Sequence, residues 1–361
     1  MIRYGSQQID EDDIAAVVEV LRGDWLTQGP AVERFEQDLA ARCEARHAVA
    51  FTSGTAALHA AAAAAGLGPG DRVATSPLTF SASAACAKYV GATPTLVDID
   101  PATLNLRVDA VPDGLDALVA VHYAGLPIDL SGLAHRPRVV IEDAAHALGA
   151  RTPDGPVGNC ARSDMACFSF HPVKPITTGE GGAVTTNDGA LAEALRRFRN
   201  HGTVPTPAQG GWAYEVRSLG LNYRLPDIQA ALGSSQLRKL EGWIIRRNDL
   251  ASRYRSLLSE LPVVLPPAAP EGHLHGYHLF AVQVPERRRI FDGLRAAGIG
   301  VQVHYVPIHH HPLYADLGFE PDDLPAVERV YAGLLSLPLH PGLSDADQDR
   351  VVAELARLLV P

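Results

Sequence analysis

The chain has 361 residues, 47 % of them hydrophobic, with 31 basic against 41 acidic side chains and a net charge of −10, a balance that disfavours nucleic acid or any other polyanion as the main partner. No basic arm tracks a phosphate backbone, and no run reaches the ~18 uninterrupted apolar residues that a membrane helix needs, since even the alanine-rich stretch after Ala56 breaks at Gly66. Cys43, Cys86, Cys160 and Cys167 are scattered and form no CxxC pair, and the leading MIRYGSQQIDEDD lacks the apolar centre of a signal peptide, so a soluble cytoplasmic protein is expected.

In chain order, DEDDIAAVVEVLRG carries acids in its first turn and Gly23 after its last, which predicts an N-terminal helix outside any sheet. Seven short apolar runs then recur: AVAFTS (48–53), RVATS (72–76), PTLVDI (94–99), ALVAVH (117–122), RVVIED (138–143), MACFSF (165–170) and GAVTTN (182–187). Each ends in small or polar residues and reads as a buried strand. Helical stretches such as TAALHAAAAAAGL and FSASAACAKYVG lie between them. The alternation predicts an α/β fold with a mostly parallel central sheet and helices on both faces.

After Asn222 the pattern lengthens into amphipathic helices, LPDIQAALGSSQLRKLEGWIIRRNDLASRYRSLLSEL, which stop at the proline-rich VVLPPAAPEG. Beyond it HGYHLFAVQVP and IGVQVHYVPI read as strands, RRRIFDGLRAAG and DADQDRVVAELARLLV as helices. A single core stops growing at roughly 250–300 residues. The expectation is therefore a large domain over 1–244 and a smaller α/β domain over 245–361.

Lysine is scarce: it occurs only at Lys88, Lys174 and Lys239. Lys239 sits among arginines on a helix and reads as part of a solvated face, while Lys88 lies near a helix end, where a cation suits the dipole. Lys174 differs. It stands in HPVKPITTGEGG, stiffened by Pro172 and Pro175 and delivered at the carboxyl end of the MACFSF strand, the edge where open α/β sheets bind ligands. A lysine without a local acidic partner suits nucleophilic chemistry, because the neutral amine is the form that makes a Schiff base; an ordinary loop lysine is the alternative.

Two further stretches bear on it. RVVIEDAAHALGA ends a buried strand in Glu142 and Asp143, and a carboxylate there is what pyridoxal phosphate (PLP) needs to keep its ring nitrogen protonated, although a helix cap has the same appearance. In AFTSGTAALH, Ser53, Gly54 and Thr55 stand between a strand and a helix start, where amide groups and the dipole form an anion site. Ser169 offers one more hydroxyl, and Phe80, just past the second strand, offers a face for an aromatic ring.

Taken together, FSFHPVKPITTGEGGAVTTND, VVIEDAAHALGA, SGTAALH, SPLTFSAS and LNYRLPDIQAALG resemble the DegT/DnrJ-type nucleotide-sugar aminotransferases, in their order and over nearly the whole chain. The resemblance implies a type I, aspartate-aminotransferase-like fold, PLP as cofactor, and a homodimer with active sites at the subunit interface. It implies Lys174 as the lysine joined to the cofactor and Asp143 as the partner of its ring nitrogen. His146 is placed near the phenolic oxygen, Ser53, Gly54, Thr55 and Ser169 at the phosphate, and Phe80 against the ring. Asn222 is expected to reach the phosphate from the second subunit.

Some relatives carry histidine in place of the lysine and dehydrate their substrate; Lys174 favours transamination, with L-glutamate as donor. HPVKPITTGEGG, WLTQGP and VHYVPIHHHPLY look most like members that aminate C4 of a UDP-linked 4-keto-6-deoxy-2-acetamido sugar, as in pseudaminic acid formation. The alternatives are a dTDP-linked keto sugar aminated at C4 or C3, and a PLP-binding sensor without turnover. Trp25, Thr27, Arg224, His304, Tyr305 and His309 are the candidate substrate contacts. Adjacent histidines rarely share a tetrahedral centre, so His309–His311 are not expected to bind a metal.

Overall fold

The computed structural model describes residues 1–360. The seven expected strands all form: β1 (His47–Phe51), β2 (Arg72–Thr75), β3 (Thr93–Leu96), β4 (Ala117–Val121), β5 (Val139–Asp143), β6 (Met165–Ser169) and β7 (Gly182–Thr186). They make one sheet in the order β1-β7-β6-β5-β4-β2-β3, in which only β7 runs against its neighbours. Side chains alternate across it with the period of a strand. Ala48, Ala50, Ala166, Phe168 and Ala183 enter one apolar cluster. Val49, Phe51, Met165, Cys167 and Val184 enter the other.

Helices cover both faces. Phe35 and Leu39 of α2 (Pro30–Cys43) and Ala230 of α6 (Asp227–Leu237) pack into the first cluster, with α1 (Glu11–Arg22) outside them. On the other face lie α3 (Gly54–Ala64), α4 (Ala82–Tyr89) and α5 (Gly189–Arg199). The α2 and α5 helices add to the expected set. α2 has proline at its first turn and buries Phe35, Leu39 and Cys43 along one stripe.

The long helix α7 (Leu240–Leu257) crosses from one part of the molecule to the other. Leu240 and Ile244 belong to the core beneath the sheet, whereas Leu250, Ala251 and Tyr254 belong to a separate core with the C-terminal elements. The expected boundary at 244/245 thus falls inside a continuous helix. The C-terminal part holds α8 (Arg287–Ala296), α9 (Pro325–Gly333), α10 (Asp345–Leu359) and a two-stranded ladder of β8 (Phe280–Gln283) with β9 (Leu334–Leu337). Here one expectation is corrected. IGVQVHYVPI does not form a strand; it contributes two isolated bridges, Ile299 to Ile2 and Gln302 to Ser336, and then turns toward the large sheet. The strand it was expected to supply is β9, whose four residues are all buried.

The strand order reverses beside β2: the chain steps from β2 outward to β3, then returns to lay β4 on β2's other side. At such a switch point the connections leaving the carboxyl ends diverge and leave a crevice. Phe80 follows β2, Val121 ends β4 and Asp143 ends β5, and all three line one cavity of about 370 Å³.

Candidate active site

Asp143 is carried into the cavity by the register of the sheet, being paired with Val121 on one side and Cys167 on the other. Its neighbour Glu142 points to the opposite face, as strand alternation requires, and is held there by His122 Nε2 at 2.7 Å and the Ser163 hydroxyl at 2.5 Å. Asp143 is 7 % exposed. It accepts hydrogen bonds from Ser83 Oγ at 2.6 Å and from the Ala145 amide at 3.2 Å.

Lys174 lies in the connection from β6 to β7, which closes on itself where the Phe170 amide meets the Gly181 carbonyl. The loop is pinned to α6, since Gln236 accepts from the Thr177 amide and Gln229 donates to the Thr178 and Glu180 carbonyls. Of the three lysines, Lys88 pairs with Asp316, and Lys239 pairs with Asp10 and Asp13. Lys239 therefore clamps α1 rather than lying on a solvated face. Lys174 has no such partner among the described residues. Burial pushes its amine down to about 8, partly offset by the field of Asp143.

An amine with that value is half neutral at pH about 8, against a negligible fraction for an ordinary lysine there, and its neutral fraction falls about tenfold per pH unit well below 8. Stopped-flow capture of PLP by the apo-protein should accordingly accelerate steeply up to pH about 8 and level off above it. A rate independent of pH between 6 and 8 contradicts this.

The anion cup forms where β1 gives way to α3. Ser53 is the N-cap and spends its oxygen on the Ala56 amide at 3.0 Å. The Gly54 and Thr55 amides stand before the first intrahelical bonds, at the positive end of the dipole. A Cβ on Gly54 would meet the Ser169 Cβ at 2.8 Å, so only glycine lets β6 bring its serine this close. Gly182 is tighter still: a Cβ there would lie 2.3 Å from the Ser53 carbonyl oxygen. Ser53, Gly54, Thr55 and Ser169 all line the cavity.

The opposite wall comes from the C-terminal part. His304 and Tyr305 reach the cavity, the His304 carbonyl accepting from Tyr123 Oη at 2.5 Å and its Nδ1 lying 2.9 Å from Ser336 Oγ. Tyr305 Oη sits 2.9 Å from His146 Nε2. Burial and the nearby Lys174 hold His146 well below the ordinary imidazole range, and the same causes bring His304 down to about 4. These rings are neutral at working pH. Desolvation also lowers His278, which sequence reasoning did not single out; its ring lies 4.4 Å from that of His146 and it lines the cavity with Tyr4, Thr79, Ala145 and Glu180. None of these carries a local pattern that marks it.

The remaining candidates lie elsewhere in the chain. Trp25 and Thr27 are exposed on the loop between α1 and α2, whose Leu26 carbonyl accepts from the Asp227 amide. Asn222 is exposed, and Arg224 donates to Asn200 Oδ1 at 2.6 Å beside a separate cleft lined by Gln28, Arg196 and Arg197. His309 does not line the cavity. It turns with His310 toward Glu328, their Nε2 atoms lying 2.8 and 2.6 Å from one carboxylate oxygen, because the short helix Ile308–His310 packs against the first turn of α9.

The cavity fits PLP by the chemistry of its donors. Amides and hydroxyls at a helix N-terminus suit a phosphate, a buried carboxylate suits a ring N–H, an aromatic face suits the ring, and an unpaired amine suits the aldehyde. Sequence and structure comparisons agree. The model of the DegT/DnrJ/EryC1/StrS aminotransferase family matches residues 7–356. The spore coat polysaccharide biosynthesis protein SpsC of Bacillus subtilis is 38 % identical over 97 % of this chain and 95 % of its own. Spr1654 of Streptococcus pneumoniae, assigned as a sugar aminotransferase and solved in its PMP form, superposes with a TM-score of 0.93 at 28 % identity, covering 99 % of both chains. Helicobacter pylori PseC, an aminotransferase of pseudaminic acid biosynthesis, does so with a TM-score of 0.92 at 30 % identity, again over 99 % of both. The chain belongs to the DegT/DnrJ/EryC1/StrS aminotransferase family, and its fold is that of the PLP-dependent sugar aminotransferases.

Proposed function

We propose that the protein transfers the amino group of L-glutamate to C4 of a UDP-linked 4-keto-6-deoxy-2-acetamido hexose in the cytoplasm, as a homodimer with shared sites. The observation that carries the reading is the unpaired amine of Lys174, lowered to about 8, in one cavity with Asp143. PLP, when bound, supplies an electron sink that lets a C–H bond beside an amine ionise. Lys174 Nζ takes the proton from the donor's α-carbon. In the second half it returns one to the sugar carbon that bore the oxo group, so that glutamate leaves as 2-oxoglutarate and the sugar as an amine. Asp143 holds the proton at the ring nitrogen. Gly54, Thr55 and Ser169 hold the phosphate, and Phe80 flanks the ring while His146 faces its phenolic side.

The choice of sugar rests on the wording of HPVKPITTGEGG and on the likeness to PseC. His304 and Tyr305 at the rim supply polar contacts for it. Protein loaded with pyridoxamine phosphate and offered a panel of UDP- and dTDP-linked 3-keto and 4-keto sugars should regain its visible band with the UDP 4-keto-6-deoxy-2-acetamido sugar. Recovery only with a 3-keto or a dTDP sugar overturns the substrate assignment and leaves the reaction class standing.

Two features support the dimer. Among the described residues the cup has no lysine or arginine beyond Lys174, so a phosphate dianion there calls for further donors. Trp25, Leu26, Phe80, Trp212, Tyr214 and Leu219 are also each at least half exposed, apolar surface that a second subunit would cover. Four buried, unpaired cysteines suit a reducing compartment. With Asn222 reaching the partner's cup, mixing inactive Lys174→Ala and Asn222→Ala chains should restore about a quarter of the wild-type activity, because each mixed dimer keeps one intact site. No recovery after verified subunit exchange would remove Asn222 from the shared site.

A further inference from the structure

Asp143 is anchored by a chain of hydroxyls that ends in the turn bearing Phe80. Ser83 Oγ lies 2.6 Å from Asp143 Oδ2, and Thr79 Oγ1 lies 2.7 Å from Ser83 Oγ. Ser83 and Thr79 are 0 % and 3 % exposed. The direction of the chain follows from proton counting. A carboxylate only accepts, so the single Ser83 proton goes to Asp143; the alternative acceptor, the Phe80 carbonyl, is farther at 3.3 Å. Ser83 Oγ must then accept, and Thr79 is the donor. The Ala145 amide occupies Oδ1. With one donor on each oxygen the carboxylate cannot rotate without breaking a bond in a buried site, and its remaining lone pairs are left for the cavity.

We infer that Ser83, backed by Thr79, is a positioning residue that fixes the orientation of Asp143 toward the cofactor's ring nitrogen and ties it mechanically to the Phe80 wall. The inference rests on the reading of Asp143 given above. Thr79 immediately precedes Phe80 and Ser83 follows it by one turn, the Ser83 amide bonding the Phe80 carbonyl at 3.2 Å. The residue that flanks the ring and the residue that holds its nitrogen are thereby set by the same short segment, 79–83. A shift of either carries the other with it.

The test uses the holoenzyme loaded with PLP labelled with ¹⁵N at the ring nitrogen. Ser83→Ala should retain the borohydride label on Lys174 yet move the ring-nitrogen resonance away from its wild-type position, and kcat should fall about tenfold with KM for glutamate little changed, the loss typical of a hydrogen bond to a charged group. Thr79→Val, which keeps the shape and removes the donor, should move the resonance in the same direction by less. Ser83→Thr should restore it. In an Asp143→Asn background Ser83→Ala should change nothing further, as expected of a group that acts through another. A wild-type resonance in a folded Ser83→Ala or Thr79→Val protein, or an undiminished loss in the Asp143→Asn background, overturns the inference. Absence of the Lys174 label in the wild type would instead defeat the underlying reading of the site.

Discussion

Lys174→Ala should abolish covalent capture of PLP and lower transamination by about 10⁴-fold, the upper range for loss of a positioned proton carrier, with an added loss because the nucleophile itself is gone. Mass analysis after borohydride treatment should find the wild-type label on the peptide around Lys174 and none in the variant; a variant that still turns over glutamate at the wild-type rate ends the assignment. The same substitution has a stability signature in the apo-protein. The folded-state value is depressed from 10.5 to about 8. Between those limits the unfolded chain binds a proton that the folded chain does not, so wild-type stability rises with pH across that window. Below about 8 the wild type bears the full cost of enclosing the charge, and above 10.5 it bears none. Lys174→Ala should therefore gain melting temperature relative to wild type at pH 7, and the gain should shrink as pH rises through the window.

Asp143→Asn should be the second-largest loss, about 10³-fold in kcat, the scale for removing one preorganised electrostatic partner from a dry site. The amide keeps the shape and the bond from the Ala145 amide but no longer presents a charge to the ring nitrogen. With its oxygen on the Ala145 side, it also confronts the Ser83 hydroxyl, 2.6 Å from Oδ2 in the wild type, with an amide donor in place of an acceptor. The Lys174 label should survive, because capture of the aldehyde needs the amine and not the carboxylate. Loss of turnover with retention of the label separates the two residues' roles, whereas kcat within threefold of wild type would show that Asp143 does not serve the ring.

Much of this was legible before any coordinates. Each of the seven sheet strands is a short apolar run closed by small or polar residues, a local signal that burial on both faces enforces. Lys174 stood out because lysine is rare here, and Asp143 because it closes a buried strand with a carboxylate, the group that a PLP ring nitrogen needs. The short β9 did not stand out: LLSL follows a helix directly and has no alternation, and its pairing with β8 joins residues about fifty positions apart. IGVQVHYVPI did have alternation, yet its backbone leaves the ladder after one bridge to bring His304 and Tyr305 to the cavity. Local pattern favoured a strand there and tertiary packing overruled it.

The chain's own order of residues determined the kind of fold, the amine and the carboxylate, since periodicity, glycine placement and an isolated lysine are properties of neighbouring residues. Only the tertiary structure decided that Lys174 has no ion-pair partner among the described residues while the other two lysines do, that His309 turns to Glu328 instead of the cavity, that His278 and Thr79 line the cavity, and that Ser83 bonds Asp143. Those facts depend on which distant segments meet when the sheet is laid down. Ionisation and hydrogen bonding respond to surroundings in space, and the polymer sets those surroundings only once it has folded.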